Sequence, residues 1–186
     1  TDAGIRNIAM GYDAMTSNTS GSFNAAIGYL ALGNNTTGVD NFAVGQQAMY
    51  YNIGGSNNTS IGYHSMRYAQ NNNNYNIALG YEAMMGTGNY SITHYNVALG
   101  FSALREINNG DENVAIGTYA GTNITSGSNN VALGNSSLGN NTAGNYSVGI
   151  GYHSGQKNGS YNTSVGASAN TVGSVTANYS SYFGSS

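Results

Sequence analysis

Few residues in this chain can do covalent or metal chemistry, and their spacing decides what they could do together. The sequence holds three histidines, seven carboxylates and no cysteine, which removes disulfides, thiolate metal sites and cysteine nucleophiles at once. His64 and His153 each stand two residues after a glycine, in equivalent settings far apart along the chain, and read as surface histidines. Asp111 and Glu112 are adjacent carboxylates. They lack both the aspartate-rich pattern of a calcium loop and a second carboxylate pair for acid–base work, so they read as a solvated turn. The serines show no recurring arrangement with His and Asp, so no nucleophilic triad is expected. These readings predict a non-enzymatic protein with no catalytic residues, no cofactor and no metal site.

Charge excludes further classes. Only 6% of the residues are charged, against roughly 25% in an ordinary soluble protein. With a net charge of −3 and four Lys or Arg in all, there is no basic field for a phosphate backbone, and nucleic acid is not expected as a partner. No apolar run approaches the roughly 18 residues of a membrane helix, and no basic-then-apolar leader opens the chain, so no membrane insertion is expected. The first residue is Thr1, as in a processed product or a piece of a longer polypeptide. The absence of cysteine suits an exported protein and equally a virion part assembled in the cytosol.

The elements that position these residues come from a repeat. Asn7-Ile8-Ala9-Met10-Gly11-Tyr12 returns as Asn24 to Tyr29, Asn41 to Gly45, Asn58 to Tyr63, Asn76 to Tyr81, Asn96 to Phe101, Asn113 to Gly117 and Asn130 to Gly134, with looser copies ending at Gly151 and Gly166. The anchor glycines Gly11, Gly28, Gly45 and Gly62 lie 17 apart, as do Gly100, Gly117, Gly134 and Gly151; the steps to Gly80, Gly100 and Gly166 are 18, 20 and 15. A second block, Ala/Ser-Met/Leu, follows each anchor at Ala14-Met15, Ala31-Leu32, Ala48-Met49, Ser65-Met66, Ala83-Met84, Ala103-Leu104 and Ser137-Leu138. Turn chemistry such as Asn35-Thr36-Thr37-Gly38 closes the unit.

Alternation of large apolar residues with Ala or Ser has the period of two that belongs to a strand. One such unit cannot bury its apolar residues alone, whereas stacked copies pair every strand with the next at about 4.8 Å. The spacing predicts an all-β, parallel β-solenoid (β-roll) of about ten 17-residue coils, each with two short strands and two turns, over residues 1–170, followed by a non-repeat tail at 171–186. It predicts an Asn ladder (Asn24, Asn41, Asn58), an aliphatic ladder (Ile27, Val44, Ile61) and an aromatic ladder (Tyr12, Tyr29, Tyr63, Tyr81, Phe101). The Ala/Ser column, from Ala9 to Ala132, is expected on the face away from the large apolar residues, where it would let a sister chain approach closely in a homo-oligomer. The direction of the Met/Leu column is left open by the sequence.

The Asn-φ-Ala-φ-Gly unit resembles the repeat of trimeric autotransporter adhesin heads. The longer form, clearest over residues 28 to 45, is still more similar to bacteriophage tail-fibre and related surface-fibre repeats, and the resemblance runs over roughly residues 4 to 170. It implies a left-handed β-roll, a homotrimer and an adhesive role. Residues Val175 to Ser186 resemble the segment before the self-cleaving chaperone that ends many phage fibres, so a chain ending at Ser186 fits a matured fibre.

The place where the period fails is the sequence's best handle on binding. The unit after Gly80 is three residues longer than the norm and carries Gly86 to Tyr95. Insertions in solenoids map to one face, often the binding face. Asn89, Tyr90, His94 and Tyr95 are the candidate receptor-contact residues, with the rings set to stack on sugars and Asn89 to bond hydroxyls. The expected function is therefore a structural fibre segment of a phage tail fibre or cell-surface adhesin, extracellular, a rigid spacer with host-surface glycan attachment. The alternative is an extracellular filament polymerising end to end, glycosylated at sequons such as Asn18-Thr19-Ser20, Asn35-Thr36-Thr37, Asn58-Thr59-Ser60 and Asn178-Tyr179-Ser180. A third reading, ice binding, needs a Thr array in register; Thr19, Thr36, Thr125 and Thr142 share a column that Ile53, Gln70 and Asn108 interrupt.

Overall fold

A computed structural model of the chain describes residues 4–70, 72–88, 93–156, 158–170 and 178–184. Its strands are all three residues long: β1 (Ile8–Met10), β2 (Ala25–Ile27), β3 (Phe42–Val44), β4 (Thr59–Ile61), β5 (Ile77–Leu79), β6 (Val97–Leu99), β7 (Val114–Ile116), β8 (Val131–Leu133), β9 (Val148–Ile150), β10 (Thr163–Val165) and β11 (Ser181–Phe183). They form a single eleven-stranded parallel sheet in which spatial order is chain order. No helix occurs among the described residues. The molecule is a β-solenoid of about ten coils, as the spacing predicts.

Equivalent residues stack. Ala25, Ala26 and Ile27 pair with Phe42, Ala43 and Val44, and these with Thr59, Ser60 and Ile61. The step of 20 residues between Gly80 and Gly100 does not disturb the register, since Ala78 still pairs with Ala98. The anchor glycines explain themselves: Gly28 has φ +132°, and a Cβ on it would lie 2.6 Å from the carbonyl oxygen of Gly45 in the next coil. All ten predicted anchors, Gly11 to Gly166, adopt φ between +120° and +140°, a region that costs a side-chain-bearing residue heavily.

Each coil has one strand where two were expected. The Ala/Ser-Met/Leu block is not extended, because left-handed residues alternate through it: Leu30 (φ 56°) and Leu32 (φ 49°), Gln47 (55°) and Met49 (52°), His64 (55°) and Met66 (49°). Its backbone is still satisfied between coils. Leu30 donates back to the Tyr12 carbonyl at 2.9 Å and Leu32 donates forward to the Ala48 carbonyl at 3.0 Å.

The faces of the strand are the reverse of expectation. Ala26, Ala43, Ala78, Ala98, Ala115 and Ala132 are fully buried inside the coil, while Ile27, Ile61, Ile77 and Ile116 lie on the outside. A 17-residue coil encloses too narrow a lumen for large side chains from both sides. The Met/Leu column (Leu32, Met49, Met66, Leu104, Leu138) fills that lumen, so only Ala, Ser or Gly fits opposite. The Ala column therefore cannot be an interface with a sister chain.

The sheet also runs past residue 170. Thr163, Ser164 and Val165 pair with Ser181, Tyr182 and Phe183, the Ser160 N–H donates to Asn178 Oδ1 at 2.8 Å, and Tyr179 stacks on Tyr161 at 4.7 Å. The segment assigned to a non-repeat tail thus supplies the strand of an eleventh coil, while 171–177 fall outside the described residues.

Candidate functional site

Two surfaces depart from a plain polar rod. The first is the outer face of the sheet. The residues flanking each buried Ala point outward, giving one column from Ile8 through Phe42, Ile77 and Val114 and another from Met10 through Ile27, Ile61, Ile116 and Ile150. Rings border this stripe on both sides. On one, Tyr63, Tyr81 and Phe101 stack at 5.0 and 5.1 Å, with Tyr12 on Tyr29 at 5.8 Å. On the other, Tyr75 stacks on Tyr95 at 5.1 Å and Tyr146 on Tyr161 at 5.0 Å. The Asn ladder runs inside, behind the stripe: Asn24, Asn41 and Asn58 are buried and bonded amide to amide.

The second surface lies at the corner of the coils before and after the long unit. Tyr51 and Tyr68 stack at 5.2 Å, the Arg67 guanidinium lies 4.9 Å from the Tyr68 ring centre, and Arg105 is held by Glu82 at 2.8 Å and Glu106 at 3.4 Å. Two of the chain's four cationic residues meet here. A cleft of about 350 Å³ opens between Tyr68, Gly86, Gly88, Arg105 and Glu106. Nothing in the sequence brings these residues together until the insertion is registered against its neighbours, because Tyr68 and Glu106 are two coils apart.

The candidate contact residues separate. Asn89 and Tyr90 lie outside the described residues. His94 and Tyr95 belong to the regular coil: Asn74 and His94 form a parallel bridge, the His94 N–H donates to Asp111 Oδ1 at 2.7 Å, and Tyr95 takes its place in the aromatic column. Asp111 also faces the His94 ring at 3.4 Å, so it closes a turn. Other turns close the same way, with the Asp111 N–H donating to Ser128 Oγ at 3.0 Å and the Ser128 N–H to Asn145 Oδ1 at 2.7 Å.

His64 stacks on Tyr63, centroid to centroid 3.7 Å. Partial burial, seconded by the Arg67 charge and opposed by Glu82, holds its pKa below the usual value. Among the described residues no group of three or more His, Asp or Glu is placed to hold a metal ion. The threonines of the interrupted column are spent within the rod: Thr19 Oγ1 donates to the Thr36 carbonyl, Thr36 Oγ1 to Ile53, Thr125 Oγ1 to Thr142 and Thr142 Oγ1 to Asn158 Oδ1. Of the sequon asparagines, Asn35 and Asn58 are buried, with side-chain amides donating inside the coil. That placement is incompatible with a glycan on either in the folded rod.

Comparison with protein-family models, with curated proteins and with solved structures finds no match to this chain.

Proposed function

We propose that the chain is a structural segment of an extracellular fibre, a phage tail fibre or a cell-surface adhesin, in which three copies join along their sheets into a rigid spacer. The observation that carries this reading is the outward apolar stripe. Two largely apolar columns about 6.6 Å apart run over eleven rungs, interrupted by hydroxyl side chains at Thr59, Thr163 and Ser181, and make a strip about 50 Å long. With its aromatic borders it presents on the order of 600–700 Å² of mostly apolar surface, in the range that marks an interaction face on a soluble protein and close to the roughly 800 Å² per partner of a stable interface.

A second copy of the same chain is the natural occupant. No ionised side chain falls in either flanking column among the described strand residues, and every rung repeats, so a parallel copy meets like with like from end to end. Three-fold closure is what the resemblance to adhesin heads and tail fibres implies. Host attachment is proposed as a further task of such a spacer, multiplied by its copies.

Sedimentation equilibrium tests the reading. A single species at about 58 kDa, three times 19.2 kDa, is expected, and Ile61→Glu with Ile116→Glu should dissociate it without loss of β circular dichroism. A wild-type protein sedimenting as a 19.2 kDa monomer would overturn it, and open-ended polymers would favour the end-to-end filament.

A further inference from the structure

We infer that the rung left without a side chain at Gly86 is a binding slot for a neutral pyranose ring. Three backbone bonds fix the alignment: Tyr51 N–H to the Arg67 carbonyl (3.0 Å), Tyr68 N–H to the Met85 carbonyl (2.9 Å) and Gly86 N–H to the Arg105 carbonyl (3.0 Å). They place Tyr51, Tyr68, Gly86 and Glu106 on four successive rungs of one column. The first two stack, with centroids 5.2 Å apart and planes 11° apart. The third has no side chain, and the fourth resumes with a carboxylate.

Among the described residues, one face of Tyr68 is covered by Tyr51 and the other looks onto the rung of Gly86. Arg67 does not occupy that face. Its guanidinium carbon is 4.9 Å from the Tyr68 centroid and 6.0 Å from that of Tyr51, so with the two centroids 5.2 Å apart it sits beside the pair and tilts towards Tyr51. Gly88 reaches two atoms of the ring and leaves the rest of it clear: a Cβ there would lie 3.8 Å from Cδ1 and from Cε1, with no other ring atom within 4 Å. From Tyr68 to Glu106 is two rungs, about 10 Å. That gap admits one ring at ordinary stacking distance from Tyr68 and no second one. The cleft volume of about 350 Å³ lies within the small-ligand range.

The walls select the ligand. Tyr68 offers an apolar π face, which suits the C–H face of a sugar. Across the slot, Glu106 meets Arg105 only through one contact of 3.4 Å and keeps acceptor capacity for hydroxyl groups, while Arg105 keeps N–H donors beyond those given to Glu82 and Glu106. Arg67 and Arg105 balance Glu82 and Glu106, so the corner carries no net charge and favours a neutral ligand over a phosphate or a carboxylate. The slot lies half a coil from the strand, away from the apolar stripe, and the inference stands whether or not the chain trimerises.

Saturation-transfer NMR on the full chain provides the test, with methyl β-galactopyranoside, methyl α-glucopyranoside and methyl N-acetyl-β-glucosaminide as probes and p-cresol as the aromatic control. Transfer to the ring C–H protons of at least one pyranoside is expected. Tyr68→Ala should weaken that binding about tenfold or more, and Tyr68→Phe should hold it within about threefold. Circular dichroism must show both variants folded, and only a folded Tyr68→Ala protein counts. No transfer to any of the three sugars, transfer to p-cresol alone, or equal transfer in wild type and Tyr68→Ala would each overturn the inference.

Discussion

Asn41 donates twice to the same oxygen: its backbone N–H reaches Asn24 Oδ1 at 2.9 Å and its side-chain Nδ2 reaches that atom at 3.1 Å. The Nδ2 group also donates to the Gly55 carbonyl at 2.7 Å, and Asn58 repeats the pair of bonds onto Asn41. An amide side chain suits this position because it presents an acceptor to one coil and two donors to its own and the preceding one.

Replacing Asn41 by Ala takes the acceptor of the buried Asn58 N–H, one of the two acceptors of the Asn58 amide, which keeps the Asn73 carbonyl, and one of the two donors to the Gly55 carbonyl, which keeps Asn52. At roughly 1–3 kcal/mol for a buried group left unsatisfied, a loss of about 1–3 kcal/mol is expected. Urea denaturation measures it. Asn123→Ala, which removes only an exposed bond to Asn140, should stay within about 0.5 kcal/mol of wild type.

A second amide column stops short. Asn35 donates to Asn18 and Asn52 to Asn35, each at 2.9 Å, but the next residue in the column is Ala69, and Asn52 Oδ1 is buried with no partner. Ala69→Asn supplies the missing donor and should raise stability by about 0.5–1.5 kcal/mol. A lower urea midpoint would mean that the lumen at this rung is too small for an amide.

The strand faces can be tested by a matched pair. Ala98→Leu forces a large side chain into a lumen already filled by Leu104 and Met84 and should cost about 1–3 kcal/mol of coil stability. Val97→Leu, one residue away on the outer face, should leave the coil within about 0.5 kcal/mol. Equal effects would argue that the two faces are not distinct.

These residues mark how far the sequence could be read. The coils as far as Gly166, their register and all ten anchor glycines follow from spacing alone, since a 17-residue period with Gly at a fixed place leaves little else; the eleventh strand, Ser181–Phe183, breaks the Asn-φ-Ala-φ-Gly pattern and does not. The strand faces do not follow, because an alternating pattern gives two faces and is silent on which one is inward. Lumen volume decides that, and it depends on where the Met/Leu column points. The single strand per coil was hidden for a related reason: Leu32, Met49 and Met66 at positive φ are residue types that pattern reasoning places elsewhere. The corner of Tyr68, Gly86 and Glu106 was hidden by the insertion, which shifts their numbering out of phase.

Acid should loosen the middle of the rod. The His64 pKa is lowered in the fold by burial first and by Arg67 second, so the folded state holds this ring neutral more firmly than the unfolded chain does. The stabilisation is present above the ordinary value of 6.5 and is lost as the pH falls from there through the lowered folded value. A melting temperature that declines over that interval in wild type, and declines less in His64→Gln, is the expected result. Identical pH profiles for the two proteins would contradict it.

Because the sheet order is the chain order, the inter-coil bonds point along the rod, and a pull on its two ends loads them in tension one tier at a time instead of shearing them together. Each tier that lets go returns about 17 residues of slack, on the order of 55–60 Å of extended chain, for about 4.8 Å of rod. A tether built this way lengthens in discrete steps under load and re-forms on the tier beneath when the load is released, behaving as a shock absorber with a built-in template.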